Sequence, residues 1–168
     1  MKNIEEIGKY KLFDGLTEEQ LNKFKKVIQV REFSADKIIF NEGDVGDSIY
    51  LLLNGKIKIN QALTLKLSKE DYDTREKSIT ELSSNSRPSF GELSLFGDND
   101  KRTATVIALS DCEMGIIMRD DFFSILESNY ELGYRIMNNI ACIVVERLIK
   151  TNQDVLKLTT ALSLILEK

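Results

Sequence analysis

Apolar positions keep a helical period at both ends of the chain and fall into short, turn-bounded runs between them. Thr17-Glu18-Glu19-Gln20 has the form of a capping box, and Leu21, Phe24, Val27 and Ile28 follow at helical spacing. In such a box the threonine and glutamine side chains each satisfy a free backbone N–H, so a helix is predicted over 17–28. A short helix over 3–12 can precede it. From Gln29 to Ser68 the pattern changes. Apolar runs at Lys37–Phe40 and Ser48–Leu53, then alternation through Lys56-Ile57-Lys58-Ile59, are separated by Glu42-Gly43-Asp44, Val45-Gly46-Asp47 and Asn54-Gly55. Strands joined by such turns predict a β-sandwich or roll, with Tyr50, Leu51 and Leu53 in its core. The polar stretch 69–78, with the acidic run Asp71 to Glu76, is expected at a solvated hairpin tip. Thr103–Ser110 and Cys112–Met118 supply two more strands. Beyond Met118 the helical period returns, with Asp120 or Asp121 as the N-cap, and nearly everything from Asn129 onward can be one helix. Helix, strands, then helices make an α+β chain, with one unit over 1–128 and a terminal helix over 129–168.

Composition narrows what such a chain can do. Its 168 residues are 42% hydrophobic, enough for one packed domain, and 30% charged, as a soluble surface requires. With a net charge of −4 there is no overall basic face for duplex phosphates, although a local cationic pocket for one small anion remains possible. There is no histidine, hence no imidazole base, no Ser-His pair and no His-ligated metal. The two cysteines, Cys112 and Cys142, have no metal-site or disulfide spacing and are expected buried and reduced. Met1 to Tyr10 is charged throughout, unlike a signal peptide, and the longest apolar stretch, Ile140–Val145, is too short to span a bilayer. The expectation is a soluble, cytoplasmic, non-enzymatic protein with no metal, nucleic-acid or membrane partner.

The stretch richest in chemistry runs Phe90-Gly91-Glu92-Leu93-Ser94-Leu95-Phe96-Gly97, then through Lys101-Arg102-Thr103-Ala104-Thr105-Val106. Gly91 permits close backbone approach. Glu92 to Phe96 can form one helical turn whose free amides favour an anion, and Gly97 can stop it in a left-handed conformation. The chain then returns to present Arg102 at the start of a strand. Amides and a guanidinium make a phosphate clamp, and Glu92 can accept hydrogen bonds from a sugar hydroxyl. Phosphate and ribose on one loop indicate a nucleotide.

This stretch resembles the phosphate-binding cassette of the cyclic nucleotide-binding domain family, in which F-G-E-L is followed by R-[ST]-A-[TS]-V. Asn41-Glu42-Gly43-Asp44-Val45-Gly46-Asp47 and Asn54-Gly55 resemble that family's glycine-punctuated β-roll turns, and the likeness runs from about Leu12 to Leu158. It implies a β-roll or jelly roll flanked by an N-terminal helix and a long C-terminal helix, with the cassette at 90–106. It also implies roles. Arg102 pairs with the cyclic phosphate, and Glu92 accepts the ribose 2′-hydroxyl. Gly91, Leu93 and Ser94 supply the turn and its amides, Thr103 offers a hydroxyl to phosphate or base, and Ala104 completes the set. The chain departs from the pattern at Asn85-Ser86-Arg87-Pro88-Ser89, where relatives commonly carry Gly-Asp before F-G-E, and in a longer, more charged hairpin around 63–82.

Tyr134, Met137, Ala141, Val144, Leu148, Thr151, Val155, Leu158, Leu162 and Ile165 repeat at alternating intervals of three and four, a coiled-coil seam. A second line, Ile136, Ile140 and Ile143, can pack on the roll. A homodimer through 134–165 is therefore expected, the alternative being a helix folded onto its own domain. Arg147-Leu148-Ile149-Lys150-Thr151-Asn152 resembles the Arg-Leu-x-x-Thr-Ser with which catabolite-activator-type regulators contact adenine across their dimer. That makes Thr151 and Asn152 candidate base contacts, unless the threonine hydroxyl bonds to its own helix. No basic recognition helix follows the seam, so a sensor domain without the DNA-binding domain is expected if the sequence is complete; if it is cut from a longer protein, the missing part decides the biology. Thr103 is compatible with guanine, while Thr151 and Asn152 favour cyclic AMP over cyclic GMP. The alternative to a sensor with an unknown downstream partner is a dimerisation scaffold whose ligand is degenerate or different.

Overall fold

A computed structural model of the chain describes residues 4–62, 65–66, 72–73, 76–96 and 100–166. Two short 3-10 segments, Ile4–Lys9 and Lys11–Phe13, stand where one helix over 3–12 was expected. They lead into α1 (Glu18–Val27), which is capped by Thr17 and Gln20 through both bonds of the capping box. Ten strands follow: β1 (Gln29–Phe33), β2 (Ile38–Phe40), β3 (Ser48–Asn54), β4 (Lys56–Ala62), β5 (Leu65–Lys66), β6 (Tyr72–Asp73), β7 (Glu76–Ser83), β8 (Ser89–Phe90), β9 (Thr105–Ala108) and β10 (Cys112–Met118). The cassette turn α2 (Leu93–Phe96) lies between β8 and β9. Then come α3 (Arg119–Ser128) and the 37-residue α4 (Tyr130–Leu166).

The strands form two four-stranded antiparallel sheets, ordered β1-β10-β3-β8 and β2-β9-β4-β7, with β5 and β6 paired apart. This is the expected α+β roll between helices. Part of the expected hairpin tip lies outside the described residues. Within 69–78, Tyr72 and Asp73 pair with Lys66 and Leu65, and Glu76 pairs back to Ala62.

Two apolar clusters hold the molecule, and β3 serves both. Tyr50 and Leu52 point between the sheets to meet Ile57, Phe90, Val106 and Met114. Ile49 and Leu51 point the other way, onto Phe13, Phe24, Phe122, Ile136 and Ile140 of the helical layer. Leu51 and Leu53 were expected in the roll core, and both belong to the helical side. Successive strand residues face opposite ways, and both faces of β3 are covered.

The helices also start otherwise than expected. Met118, not Asp120 or Asp121, is the N-cap of α3 and supplies no side-chain bond. The N–H of Arg119 instead donates to the Asp47 carbonyl at 2.7 Å, so the glycine turn before β3 caps the helix. The two aspartates occupy its first turn, where the helix dipole favours them. Asn129 separates α3 from α4, its side-chain oxygen accepting from the N–H of Leu132 at 3.0 Å. Cys112 is buried, but Cys142 is exposed, because it lies on α4 away from the stripe that meets the domain. Among the described residues, no helix is long and apolar enough to cross a membrane.

Candidate functional site

The two glycine-containing motifs of the sequence are parts of one structure. The N–H of Gly43 donates to the Arg102 carbonyl and the N–H of Arg102 to the Asp44 carbonyl, both at 2.8 Å, while Gly46 donates to the Asp100 carbonyl at 2.6 Å. The turn over 41–47 is thus laced to the strand-like approach to β9. Glycine is required at two places. A Cβ on Gly46 would lie 2.1 Å from the Ser94 hydroxyl, and one on Gly91, where φ is +82°, would lie 2.8 Å from a guanidinium nitrogen of Arg102.

Arg102 is therefore held on every side. It is 4% exposed. Its Nη1 donates to the carbonyls of Ser48 (2.8 Å) and Gly91 (2.9 Å) and to the Ser94 hydroxyl (2.9 Å), and its Nη2 donates to the Ser48 hydroxyl (2.9 Å). The ring of Phe40 lies 4.4 Å below the guanidinium and that of Tyr50 at 5.3 Å. Asp47 offers a carboxylate at 4.0 Å. Burial pushes the guanidinium below its ordinary pKa, opposed by the nearby Tyr50 and Asp47. Its Nε has no partner among the described residues. A buried donor left unmet costs on the order of 1–3 kcal/mol, so this nitrogen favours an acceptor in the cleft.

Glu92 is the counterpart. It is 3% exposed, and one carboxylate oxygen, Oε2, is likewise unpartnered among the described residues. The other oxygen accepts from Arg147 of α4, whose Nη2 also donates to the Ser89 carbonyl at 2.6 Å. Ser94 is buried and donates to the Gly91 carbonyl at 2.9 Å, which fixes the turn. Leu93 is half exposed at the rim. Gly97, expected to end the turn, lies outside the described residues.

A cleft of about 100 Å³ joins these groups, lined by Gly91, Glu92, Leu93, Ser94, Arg102, Thr103 and Ala104 together with the apolar Phe40, Ile59 and Phe90. Seven of the nine residues singled out in the sequence thus share one cavity. Thr151 and Asn152 do not line it; both are exposed on α4, and the Thr151 hydroxyl donates to the Arg147 carbonyl at 2.9 Å. Arg147 does line it, and the sequence reading gave it no role. The signal was present. Extending the buried line Leu132, Ile136, Ile140, Ile143 by one more turn of four lands on Arg147.

A matching family model spans residues 30–129 and describes the cyclic nucleotide-binding domain. The chain belongs to that family. Among curated relatives, the cyclic AMP receptor protein of Thermus thermophilus is 29% identical over 68% of this chain and 48% of its own length. The cGMP-dependent protein kinase isozyme 1 of Drosophila melanogaster is 35% identical over 72% of this chain and 15% of its own. The chain thus spans about half, or less, of the length of these two relatives. Among solved structures, the Thermus thermophilus catabolite activator protein superposes with a TM-score of 0.71 at 25% identity, over 89% of this chain and 63% of that one. A cyclic nucleotide-binding domain from Methylobacillus flagellatus shares the fold, with a TM-score of 0.77 at 21% identity over 92% of this chain and 83% of that one.

The start of α3 is tied to this site. Arg119, at the start of α3, forms an ion pair with Asp100 and lies 5.9 Å from the ring centre of Phe123. Phe123 meets Phe96 of the cassette turn edge-on at 5.7 Å. The cassette turn and α3 are thus in direct contact.

Proposed function

We propose that the cleft binds a cyclic nucleotide, with cyclic AMP preferred to cyclic GMP, and that the chain is a non-catalytic sensor whose output is the position of α4. The observation that carries this is the pair of orphaned buried atoms. Arg102 Nε wants an acceptor, Glu92 Oε2 wants a donor, and both belong to residues lining one cleft. A cyclic phosphate would supply the acceptor and a ribose hydroxyl the donor. Gly91, Leu93, Ser94, Thr103 and Ala104 would shape the turn around them, within a domain over 1–128.

Arg147 gives the switch a handle. It holds one oxygen of Glu92 and so restrains the carboxylate beside the cleft that both residues line. A cleft of about 100 Å³ is well below the roughly 300–1,000 Å³ of ordinary ligand sites, so entry requires a wall to move. The movable wall is α4. In the free protein the helix would exchange between docked and undocked positions, and ligand would favour the docked one, where Glu92 is correctly aimed. The preference for cyclic AMP rests on Thr151 and Asn152, whose only route to a base is from the partner of a dimer formed through 134–165. Drosophila's cGMP-dependent kinase is among the relatives, which keeps cyclic GMP the natural competitor.

One observation favours the scaffold reading. Arg102 already makes four hydrogen bonds within the protein, so the cassette is well held without a ligand. Calorimetric titration of nucleotide-stripped protein with cyclic AMP and cyclic GMP separates the two. Binding of either, lost in Arg102→Ala and weakened in Glu92→Gln, supports the sensor. Heat from neither, with the chain folded, leaves the scaffold.

A further inference from the structure

Beyond Arg147, every described residue of α4 is exposed. Leu148, Ile149, Val155, Leu156, Leu158, Leu162, Leu164, Ile165 and Leu166 are 52–76% exposed, on a segment whose charges are only Lys150, Asp154 and Lys157 within the described residues. A two-stranded coiled coil through Leu148, Thr151, Val155, Leu158, Leu162 and Ile165 would cover one stripe. It would leave another bare.

That other stripe is the same heptad grid moved along by one residue: Ile149, Asn152, Leu156, Thr159, Ser163 and Leu166. One residue turns an α-helix by about 100°. The terminal segment therefore carries two parallel seams roughly a right angle apart, which is how a helix in a four-helix bundle meets its two neighbours. The small polar members fit a packed interior. Thr159 and Ser163 donate to the carbonyls of Val155 (2.6 Å) and Thr159 (3.1 Å), so their hydroxyls are already satisfied. The charges fall where a bundle needs them. Lys150, Asp154 and Lys157 lie opposite the midpoint of the two seams, with Lys157 and Asp154 paired at 3.0 Å. Leu164 alone among these exposed apolar residues faces their side.

We infer that α4 assembles four copies of this chain into a helical bundle, each terminal segment using the first seam toward one neighbour and the shifted seam toward the other. The occupant is the chain itself because neither seam carries a charge to select a foreign partner, and both share one heptad grid that the same helix satisfies. This inference rests on the dimer reading, since it keeps the first seam and adds a second interface to it.

Sedimentation equilibrium of the full 168-residue chain tests it. The expected species is a tetramer. Ile149→Glu/Leu156→Glu is expected to reduce it to a dimer, and Leu158→Glu/Leu162→Glu to remove the first interface. All four positions are exposed in the single chain, so the cooperative unfolding transition of the packed domain, followed by circular dichroism, is unaffected. A wild-type dimer, or a tetramer indifferent to Ile149→Glu/Leu156→Glu, overturns the second seam and leaves the dimer reading standing. A monomeric wild type overturns both.

Discussion

The two halves of α4 are one continuous helix built for opposite reasons. From Tyr130 to Arg147 it carries a buried line, Leu132, Ile136, Ile140 and Ile143, that packs on Phe13, Phe24 and Phe122. Polar bonds reinforce this line: Asn139 donates to the carbonyls of Leu12 (3.1 Å) and Asp14 (2.9 Å), and Lys11 pairs with Glu146. From Leu148 to Leu166 every residue is exposed, and the hydroxyls of Thr159, Thr160 and Ser163 donate to carbonyls of the helix itself. The first half is helical because tertiary packing rewards one face. The second has only local propensity and backbone bonds, a marginal basis in water, and its apolar surface is left exposed. The boundary between them, Arg147, is the residue that reaches the cassette.

The largest effect is expected from the packed half. Ile136→Ala, at a fully buried position, should lower unfolding free energy by about 2–5 kcal/mol in urea titration. Leu156→Ala should stay within about 0.5 kcal/mol when the chains are dilute enough to be separate. Equal losses from both would mean that the distal half folds onto its own domain.

A pH experiment probes the platform beneath the packed half. Tyr10 sits in the same apolar cluster and donates to the Leu52 carbonyl at 2.8 Å. Burial raises its pKa from 10.0 to about 12. Below pH 10 the phenol is protonated folded or unfolded, and its contribution to stability is intact. As pH rises toward 12 the unfolded chain ionises first, so stability falls by up to about 1.4 kcal/mol per pH unit. Tyr10→Phe should remove this share of the alkaline loss, and a variant with an unchanged profile would place the phenol in water.

The smallest effect tests the boundary. Arg147→Gln should weaken cyclic nucleotide binding about tenfold, near 1.4 kcal/mol, because Glu92 is then free to turn from the cleft. The melting temperature should stay close to that of the wild type, since Arg147 is nearly half exposed. Tighter binding would instead make Arg147 a competitor of the ligand for Glu92.

Local rules in the sequence located most of these parts. The capping box at Thr17 and Gln20, strand β10 from Cys112 to Met118, the cassette turn and the long terminal helix follow from neighbouring residues and their spacing. So does the identity of Glu92 and Arg102 as partners in one site. What sequence reading missed were relations between distant segments. Leu51 looks like a roll residue until helices cover the second face of β3. Asp120 looks like a cap until the carbonyl of Asp47 takes that place.

The sequence by itself determined the order of elements, the cassette and the heptad seam, because each depends on residues a few positions apart. Only the tertiary structure brought Arg147 to Glu92 across 55 positions and left Nε of Arg102 and Oε2 of Glu92 without partners among the described residues. Burial and the count of satisfied hydrogen bonds depend on what the rest of the chain places around a group, and no local pattern encodes that.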